Sequence, residues 1–246
     1  MKICIDAGHS GLKYNKGVSA GYYESSVMWD YHKLLKAELE KYGVEVVTTR
    51  TGVNDNPSLE KRGNTAKGCD LFISCHSNAY SYTDQKQADK TTRTCVYYSI
   101  PHADKTKGVA TAIANALAEL FKEFDPNTYG KTYTRQYPNK PNVDYYGVIR
   151  GASNVGVGGL IVEHSFHTAT PYCEWVMKEG NLQRMAEVEA RAIAEYYGLK
   201  KVEPQPALRP MYRVQLGAFR NKTYAQNKLK EVQKHFPDAF IKTSLE

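Results

Sequence analysis

Three short apolar runs, each followed by a polar residue suited to catalysis, dominate the hydrophobic pattern of the chain. They end just before His9, His76 and Glu163. Short runs rich in β-branched residues and bounded by turn signals predict buried strands. Because ligands bind at the carboxyl edge of open α/β sheets, the pattern predicts that these three side chains share one sheet edge.

Helical spacing and further β-branched runs predict the elements between these strands. The predicted helices cover 24–42, 59–68, 102–124 and 172–197, the last with an interruption near Gly180, and the predicted strands cover 44–50 and 94–99. Alternating strands and helices indicate parallel βαβ units. We therefore predict an α/β fold whose mostly parallel, twisted sheet is flanked by helices on both faces. Two polar stretches without periodicity, 78–92 and 125–142, are interpreted as a mobile rim loop and a long functional loop.

The end of the chain differs from the rest. Residues 1–198 are predicted to form one catalytic domain, and residues 199–210 contain three prolines, which is typical of an extended linker. Residues 211–246 follow as a small βαβ segment, with strands at 211–217 and 239–241 and a helix at 223–235. A segment this short buries little surface by itself, because folds below about 40 residues usually need a staple or a partner.

Composition narrows the class of protein. The 246 residues are 41% hydrophobic and 24% charged, as in soluble globular proteins, and the net charge of +7 suits a polyanionic partner. No segment has the ~20 consecutive apolar residues that membrane insertion requires. The tail resembles RNA-recognition folds in topology but lacks their aromatic stacking signature, so no nucleic-acid partner is expected.

Two features bear on where the protein is made. Met1 and Lys2 run directly into the first strand and leave no room for a signal peptide, which predicts synthesis in the cytoplasm. If a signal has been removed, the protein is instead secreted. The five cysteines are odd in number and three lie in or beside apolar runs, so we interpret them as buried thiols of a reducing compartment.

The strand ends supply the residues of a zinc site. Two histidines and one glutamate are a common ligand set for catalytic zinc, and His9, Glu24 and His76 provide it. Zinc lowers the pKa of water, and a separate carboxylate, Glu163, would then move the proton to the leaving amine. Glu24 has an alternative explanation, because acidic residues also favour the first turn of a helix.

The other histidines are rivals for these roles. His164 and His167 follow Glu163 directly, but alternation along a strand points His164 to the opposite face, which predicts a supporting or structural role. His167 is interpreted as lining the site. His32, His102 and His235 fall on predicted helices and are expected at the surface.

Several motifs, in this order, resemble the zinc-dependent N-acetylmuramoyl-L-alanine amidases of the amidase-3 type. They are Asp6-Ala7-Gly8-His9-Ser10-Gly11, Glu24 at a helix start, Thr49-Arg50, Leu59 to Arg62 with Asn64 and Ala66, Phe72 to Asn78, and Leu160 to Phe166. The resemblance covers residues 2–197. It implies that His9, Glu24 and His76 hold one Zn²⁺, that Glu163 is the catalytic glutamate and that Asn78 contacts substrate. Ala7 replaces the proline that the family commonly has, and His164 to His167 depart from its glycine-containing continuation.

The tail resembles a second family. Tyr212 to Phe219, with the helix that follows, is similar to the opening of a sporulation-related (SPOR) repeat, a peptidoglycan-binding module of βαββαβ form. Only the first half of the repeat is present. This implies a partial wall-binding segment, and pairing of two halves between molecules would give a homodimer.

The leading hypothesis is a peptidoglycan hydrolase that cuts between N-acetylmuramic acid and L-alanine. A zinc carboxypeptidase acting on stem peptides shares the metal chemistry, and a non-catalytic wall-binding module is the alternative from another class. Cytoplasmic synthesis of a wall hydrolase fits a phage endolysin or a mother-cell autolysin, which acts on the wall after release. The partial SPOR repeat favours the autolysin.

Overall fold

A computed structural model describes residues 1–81, 83–202 and 216–242 of the chain. The chain divides into two compact units, Met1–Val202 and Glu203–Glu246. The first unit holds the six strands of a single sheet, which are β1 (Lys2–Ala7), β2 (Glu45–Thr48), β3 (Leu71–Asn78), β4 (Thr94–Tyr98), β5 (Gly130–Tyr133) and β6 (Gly159–Phe166). Its helices are α1 (Glu24–Glu40), α2 (Leu59–Asn64), α3 (Gln85–Ala88), α4 (Ala103–Phe121), α5 (Gly147–Asn154), α6 (Thr170–Val176) and α7 (Asn181–Tyr196).

The sheet is mixed but mostly parallel, as predicted. Its strand order is β2-β1-β3-β6-β4-β5, in which β2, β1, β3 and β6 run parallel to one another. β4 is antiparallel to β6, and β5 is parallel to β4. The three strands that were expected to deliver His9, His76 and Glu163 are therefore β1, β3 and β6, which lie side by side with their carboxyl ends at one edge.

Helices cover both faces of the sheet, which confirms the predicted layers. α1, α4 and α7 pack on one face, where the larger core forms around buried residues such as Ile5, Leu35, Ile113 and Ile193. α2 and α5 pack together on the other face over a smaller core that includes Phe72. Burial of these apolar side chains is the main stabilising contribution to the unit.

Two segments that were interpreted as loops contain regular structure, so that interpretation is wrong. β5 lies inside the segment 125–142 that was interpreted as a loop, and α3 lies inside the predicted rim loop 78–92. β5 is short and polar, so it lacks the apolar run that marks a buried strand. It is held against α4 by a close approach at Gly130, where an added Cβ would lie 2.4 Å from the carbonyl oxygen of Ala114.

The second unit contributes one helix to the described residues, α8 (Lys222–Gln233), which confirms the predicted helix. The predicted strand at 239–241 is wrong, since the structure assigns no strand there and Phe240 is 76% exposed. Most of the predicted strand at 211–217 lies outside the described residues. Within the described ranges, no helix combines the length and apolar character needed to cross a membrane.

The cysteines and His32 test two further expectations about burial. All five cysteines are buried and free, as expected. The prediction that His32, on α1, lies at the surface is wrong, because the residue is buried, its ring lies against Trp29 and it hydrogen-bonds to the carbonyl of Trp29. Burial lowers the pKa of His32, and although the hydrogen bond to the Trp29 carbonyl opposes this shift, the nearby Arg50 and Lys33 add to it.

Candidate metal centre

His9, Glu24 and His76 converge at the carboxyl-terminal edge of β1 and β3. Their ligand atoms all lie within 4.8 Å of one another, and among residues 1–81, 83–202 and 216–242 they form the one group of three that could hold a metal ion. The Glu24 carboxylate lies between the rings, with Oε2 3.1 Å from His9 Nε2 and Oε1 2.9 Å from His76 Nδ1. Two imidazoles and a carboxylate are a donor set that Zn²⁺ accepts.

The turn after β1 is what presents His9. His9 has a left-handed backbone conformation with φ 60°. Arg62 Nη2 donates to the carbonyl oxygen of His9 at 2.7 Å, and both Arg62 and Arg50 donate to the carbonyl oxygen of Ala7. Charge-assisted hydrogen bonds are the stronger ones, so the two guanidinium groups fix a backbone that is otherwise unfavourable for a non-glycine residue.

Asp6 anchors Arg62 from inside the sheet. The Asp6 carboxylate is 1% exposed and accepts hydrogen bonds from Thr49, Ser74 and Arg62. A buried charge is tolerated only when it is paired and hydrogen-bonded. The motif residues Asp6, Thr49 and Arg62 therefore act together to hold the histidine turn in place.

Glu24 is the first residue of α1, and its carboxylate is almost fully buried. It accepts hydrogen bonds from the backbone N–H of Ser77 at 3.0 Å and from Asn15 Nδ2 at 2.7 Å. Burial by itself raises the pKa of Glu24, but hydrogen bonds and charge attraction from His76 and His9 outweigh it and hold the pKa well below its usual range.

The pKa of His76 reflects the same pairing. Burial alone would lower the pKa of His76, but the Glu24 carboxylate raises it to about 9. Because histidine binds a metal through its neutral ring, a cation held by His9, Glu24 and His76 would supply the positive charge that the imidazolium of His76 otherwise supplies to Glu24. The site thus already holds a carboxylate that needs a positive charge beside it.

Glu163 lies next to this group on the neighbouring strand. It is the register partner of His76 between β3 and β6, so the two side chains leave the same face of the sheet. Its Oε2 atom is buried and has no hydrogen-bond partner among the described residues. Loss of solvent raises the pKa of Glu163 to about 7, with Glu24 adding to the rise while His76 and His164 oppose it.

His164 points to the opposite face, as its alternation with Glu163 predicted. Its Nδ1 lies 2.8 Å from the carbonyl oxygen of His76, and its Nε2 lies 2.8 Å from Glu189 Oε2. Tyr31 donates to the same Glu189 oxygen at 2.6 Å, and all three side chains are fully buried. This network ties β3 at His76 to α1 and α7, so His164 supports the site from behind.

His167 and Asn78 flank the group. His167 Nδ1 lies 3.9 Å from Glu24 Oε2 and within 3.0 Å of both the carbonyl and the hydroxyl oxygen of Ser77, so the ring lies beside the site. Asn78 lies two residues after His76 at the end of β3, and its Oδ1 accepts the N–H of Ala79. Its predicted contact with substrate stays a prediction.

Two residues of the site, Asn15 and Tyr14, were not predicted from the sequence. Asn15 has a left-handed backbone with φ 51°, and its Nδ2 also lies 3.1 Å from His9 Nε2. The ring of Tyr14 lies against His9 with ring centroids 4.8 Å apart. The one available signal was an asparagine in a Gly-rich turn segment, since asparagine adopts the left-handed region more readily than most residues.

The structure predicts that Gly8→Ala disrupts the metal site. An added Cβ would lie 2.4 Å from His76 Cε1 and 2.7 Å from the carbonyl oxygen of Cys75, so the ring must move. We expect the affinity for zinc to fall by about tenfold or more, since even outer contacts of metal ligands matter this much. Zinc titration of the purified variant measures it.

Gly52→Ala is the matched control, because its added Cβ meets only the exposed carboxylate of Asp55, at 3.1 Å. Wild-type zinc affinity in Gly8→Ala would contradict the close packing of this turn against His76. The melting temperatures of both variants separate loss of metal from loss of fold.

Solved structures of bacterial amidases share this fold. The catalytic domain of CwlV, an N-acetylmuramoyl-L-alanine amidase from Bacillus (Paenibacillus) polymyxa var. colistinus, has a TM-score of 0.59 and 22% identity, over 81% of this chain and 99% of that chain. The CwlD amidase of Clostridioides difficile, solved with the GerS lipoprotein, has a TM-score of 0.59 and 17% identity, over 80% and 98%. At identities this low, the two matches show a shared fold and nothing about activity.

Cwp6 from Clostridium difficile is also similar, with a TM-score of 0.59 and 22% identity over 79% of this chain, which spans 29% of the Cwp6 chain. Comparison with curated protein sequences gives no match. The sequence pattern of the amidase-3 family, described as N-acetylmuramoyl-L-alanine amidase, matches residues 3–195. With most of its length accounted for by that match, the chain belongs to the amidase-3 family of N-acetylmuramoyl-L-alanine amidases.

Proposed function

We propose that the chain hydrolyses peptidoglycan at the amide bond between the lactyl group of N-acetylmuramic acid and the L-alanine of the stem peptide. The observation that carries the proposal is the convergence of His9, Glu24 and His76 at one sheet edge, with Glu163 in register beside His76. Membership of the family supports the identity of the bond. The donor set supports hydrolysis at a metal ion.

One zinc ion per catalytic domain fits these residues. His9, Glu24 and His76 would hold it, while Arg62 and Arg50 keep the His9 turn in position and His164 secures the backbone of His76. When bound, zinc lowers the pKa of water and polarises the substrate carbonyl. The assignment of zinc is supported by the residue types of His9, Glu24 and His76 and by their convergence, and it does not depend on a compact sequence motif.

Glu163 is proposed as the general base and then the general acid. Its carboxylate takes a proton from the attacking water as the oxygen adds to the lactyl carbonyl carbon. It returns that proton to the alanine nitrogen as the C–N bond breaks, which leaves a lactyl carboxylic acid and a free amine. The acid then ionises to the carboxylate, and the amine takes up a proton at neutral pH. A pKa of about 7 suits both directions of transfer near neutral pH. Asn78, at the end of β3, is proposed to contact the bound peptide.

Analysis of the products tests the proposed bond. Purified peptidoglycan incubated with the chain and zinc should release peptides that begin with a free alanine amine, together with glycan whose muramic acid carries no peptide. Mass spectrometry identifies both products. Their absence, together with the release of single carboxyl-terminal amino acids, would mean that the chain is a carboxypeptidase instead.

A wall-binding module without activity would give neither product while still sedimenting with peptidoglycan. The Glu163→Gln variant serves as the reference for that behaviour, since it should bind and not cut.

The biological setting stays a prediction from the sequence. A phage endolysin and a mother-cell autolysin both act on the wall after release from the cytoplasm. The resemblance of the tail to part of a SPOR repeat is the support for the autolysin and for wall binding by residues 211–246. Dimer formation through that tail is part of the same prediction.

A further inference from the structure

The segment that includes β5 alternates aromatic and basic residues. Every second residue from 129 to 137 is a tyrosine or a cation, and this basic tyrosine strip consists of Tyr129, Lys131, Tyr133, Arg135 and Tyr137. No acidic residue occurs between Asp125 and Asp144. Because alternate residues of a strand share a face, the alternation places the side chains of the strip within β5 together on one side of the sheet.

That face is the one that carries Glu163. Lys131 on β5 is the register partner of Cys95 on β4, and Cys95 is the register partner of Glu163 on β6. The three residues form one row across the sheet. At about 4.8 Å per strand, Lys131 lies about 10 Å from Glu163 along this row. Lys131 is therefore the member of the strip that shares a row with the proposed catalytic residue, two strands away.

The next row of the same face is aromatic. Tyr133 is the register partner of Tyr97, and their rings stack with centroids 5.4 Å apart. Tyr146, at the start of α5, meets Tyr97 with centroids 4.9 Å apart. Through these contacts Tyr133 joins the strip to a cluster of packed aromatic rings.

The cations of the strip are held by rings and remain at the surface. Arg135 lies 3.7 Å from the ring centroid of Tyr145, and Lys131 Nζ lies 5.2 Å from that of Tyr133. Both cations are exposed. Tyr137 and Tyr145 are 38% and 37% exposed.

Two acidic residues flank the strip in sequence, and both carboxylates are hydrogen-bonded. Asp125 accepts from the hydroxyl of Thr92 and the N–H of Asn127. Asp144 is buried. Its carboxylate accepts hydrogen bonds from the N–H of Ile100 and the hydroxyl of Ser99. The strip therefore carries a net positive charge.

The proposed reaction creates a polymer that matches this surface. Hydrolysis of the lactyl amide frees one carboxylate on every N-acetylmuramic acid that is cut. A glycan strand from which peptides have been removed is therefore a polyanion with regularly spaced carboxylates. Sugar rings present apolar C–H surfaces that pack on tyrosine rings, and the carboxylates pair with lysine and arginine.

We infer that the basic tyrosine strip binds the peptide-free glycan strand next to the bond being cut. This inference rests on the proposed function, because that reaction generates the carboxylates. Binding of the product strand keeps the enzyme beside the next muramic acid along the same glycan. The enzyme then works preferentially outward from positions that it has already cleared.

Direct binding to peptide-free glycan tests the inference without any catalytic step. Glycan fragments cleared of peptide by an unrelated amidase are titrated into the whole chain and into Lys131→Gln/Arg135→Gln. We expect the dissociation constant to rise about tenfold in the double variant, in line with two charge pairs of about 0.7 kcal/mol each. Lys67→Gln/Lys105→Gln removes the same charge from other exposed positions and should bind as the wild type does.

A change to the ligand gives a second test that leaves the fold untouched. Fragments whose lactyl carboxylates have been converted to amides should bind the wild type about tenfold more weakly, and the double variant should no longer distinguish the two ligands. Equal binding of both ligands by the wild type would overturn the inference. So would equally tight binding of poly(glycerol phosphate) or single-stranded RNA, because either result would describe a surface for any polyanion.

The outcome is separable from that of the proposed function. Failure to release peptides with a free alanine amine from peptidoglycan would contradict the amidase reaction, whatever the glycan titration gives. If the products are correct but Lys131→Gln/Arg135→Gln does not change glycan binding, the inference that the strip binds glycan is contradicted and the amidase reaction stands.

Discussion

The Glu163→Gln variant is expected to keep its fold and its bound zinc while its turnover falls by about 10²- to 10⁴-fold, the range that a positioned general base contributes. The amide has the shape of the carboxyl group but accepts no proton from water. Oε2 of Glu163 is buried without a hydrogen-bond partner among the described residues, so little structure depends on that oxygen. Loss of activity should therefore come without loss of stability.

The measurement combines the rate of peptide release, the zinc content per chain and the melting temperature. Glu60→Gln provides the control, since Glu60 is an exposed residue of the first turn of α2. Wild-type rates of release in Glu163→Gln would refute the assignment of the proton-transfer role. A variant that lost zinc as well would place Glu163 among the metal ligands.

The His76→Ala variant is expected to lose both zinc and turnover. Removal of the ring leaves two of the three ligands and leaves the buried carboxylate of Glu24 without its closest cationic partner. We expect zinc affinity to fall by more than about 100-fold, because loss of a ligand exceeds the 10- to 100-fold effect of losing an outer contact. The unpaired carboxylate should also reduce the free energy of unfolding, measured without metal.

Zinc content after dialysis and urea unfolding in the presence of a chelator are the two readouts. His235→Ala is the matched control, because His235 is an exposed histidine that follows α8. Full zinc occupancy in His76→Ala would exclude His76 from the site.

The strands that build the site were readable from the sequence, and their order was not. β1, β3 and β6 are continuous apolar runs because both of their faces are covered, and such runs are recognisable in a single sequence. The antiparallel insertion of β4 between β6 and β5 depends on contacts between distant segments. β5 escaped notice because its alternation of tyrosine and cation is the pattern of an exposed face.

The candidate site shows the same division. His9, Glu24 and His76 were found because their residue types and positions at element ends are informative, and the structure brings them together. Asn15 was missed because its contribution depends on a left-handed backbone within an irregular loop. His32 was misplaced because position on a helix does not tell which neighbours cover the ring.

The order of strands leaves β2 and β5 as the two outer strands of the sheet. Each is four residues long, and each carries a charged residue at its exposed positions, Glu45 on β2 and Lys131 on β5. Short outer strands with charged side chains discourage a second molecule from adding a strand of its own. The amidase fold of this chain is thus protected against edge-to-edge aggregation at both ends of its sheet.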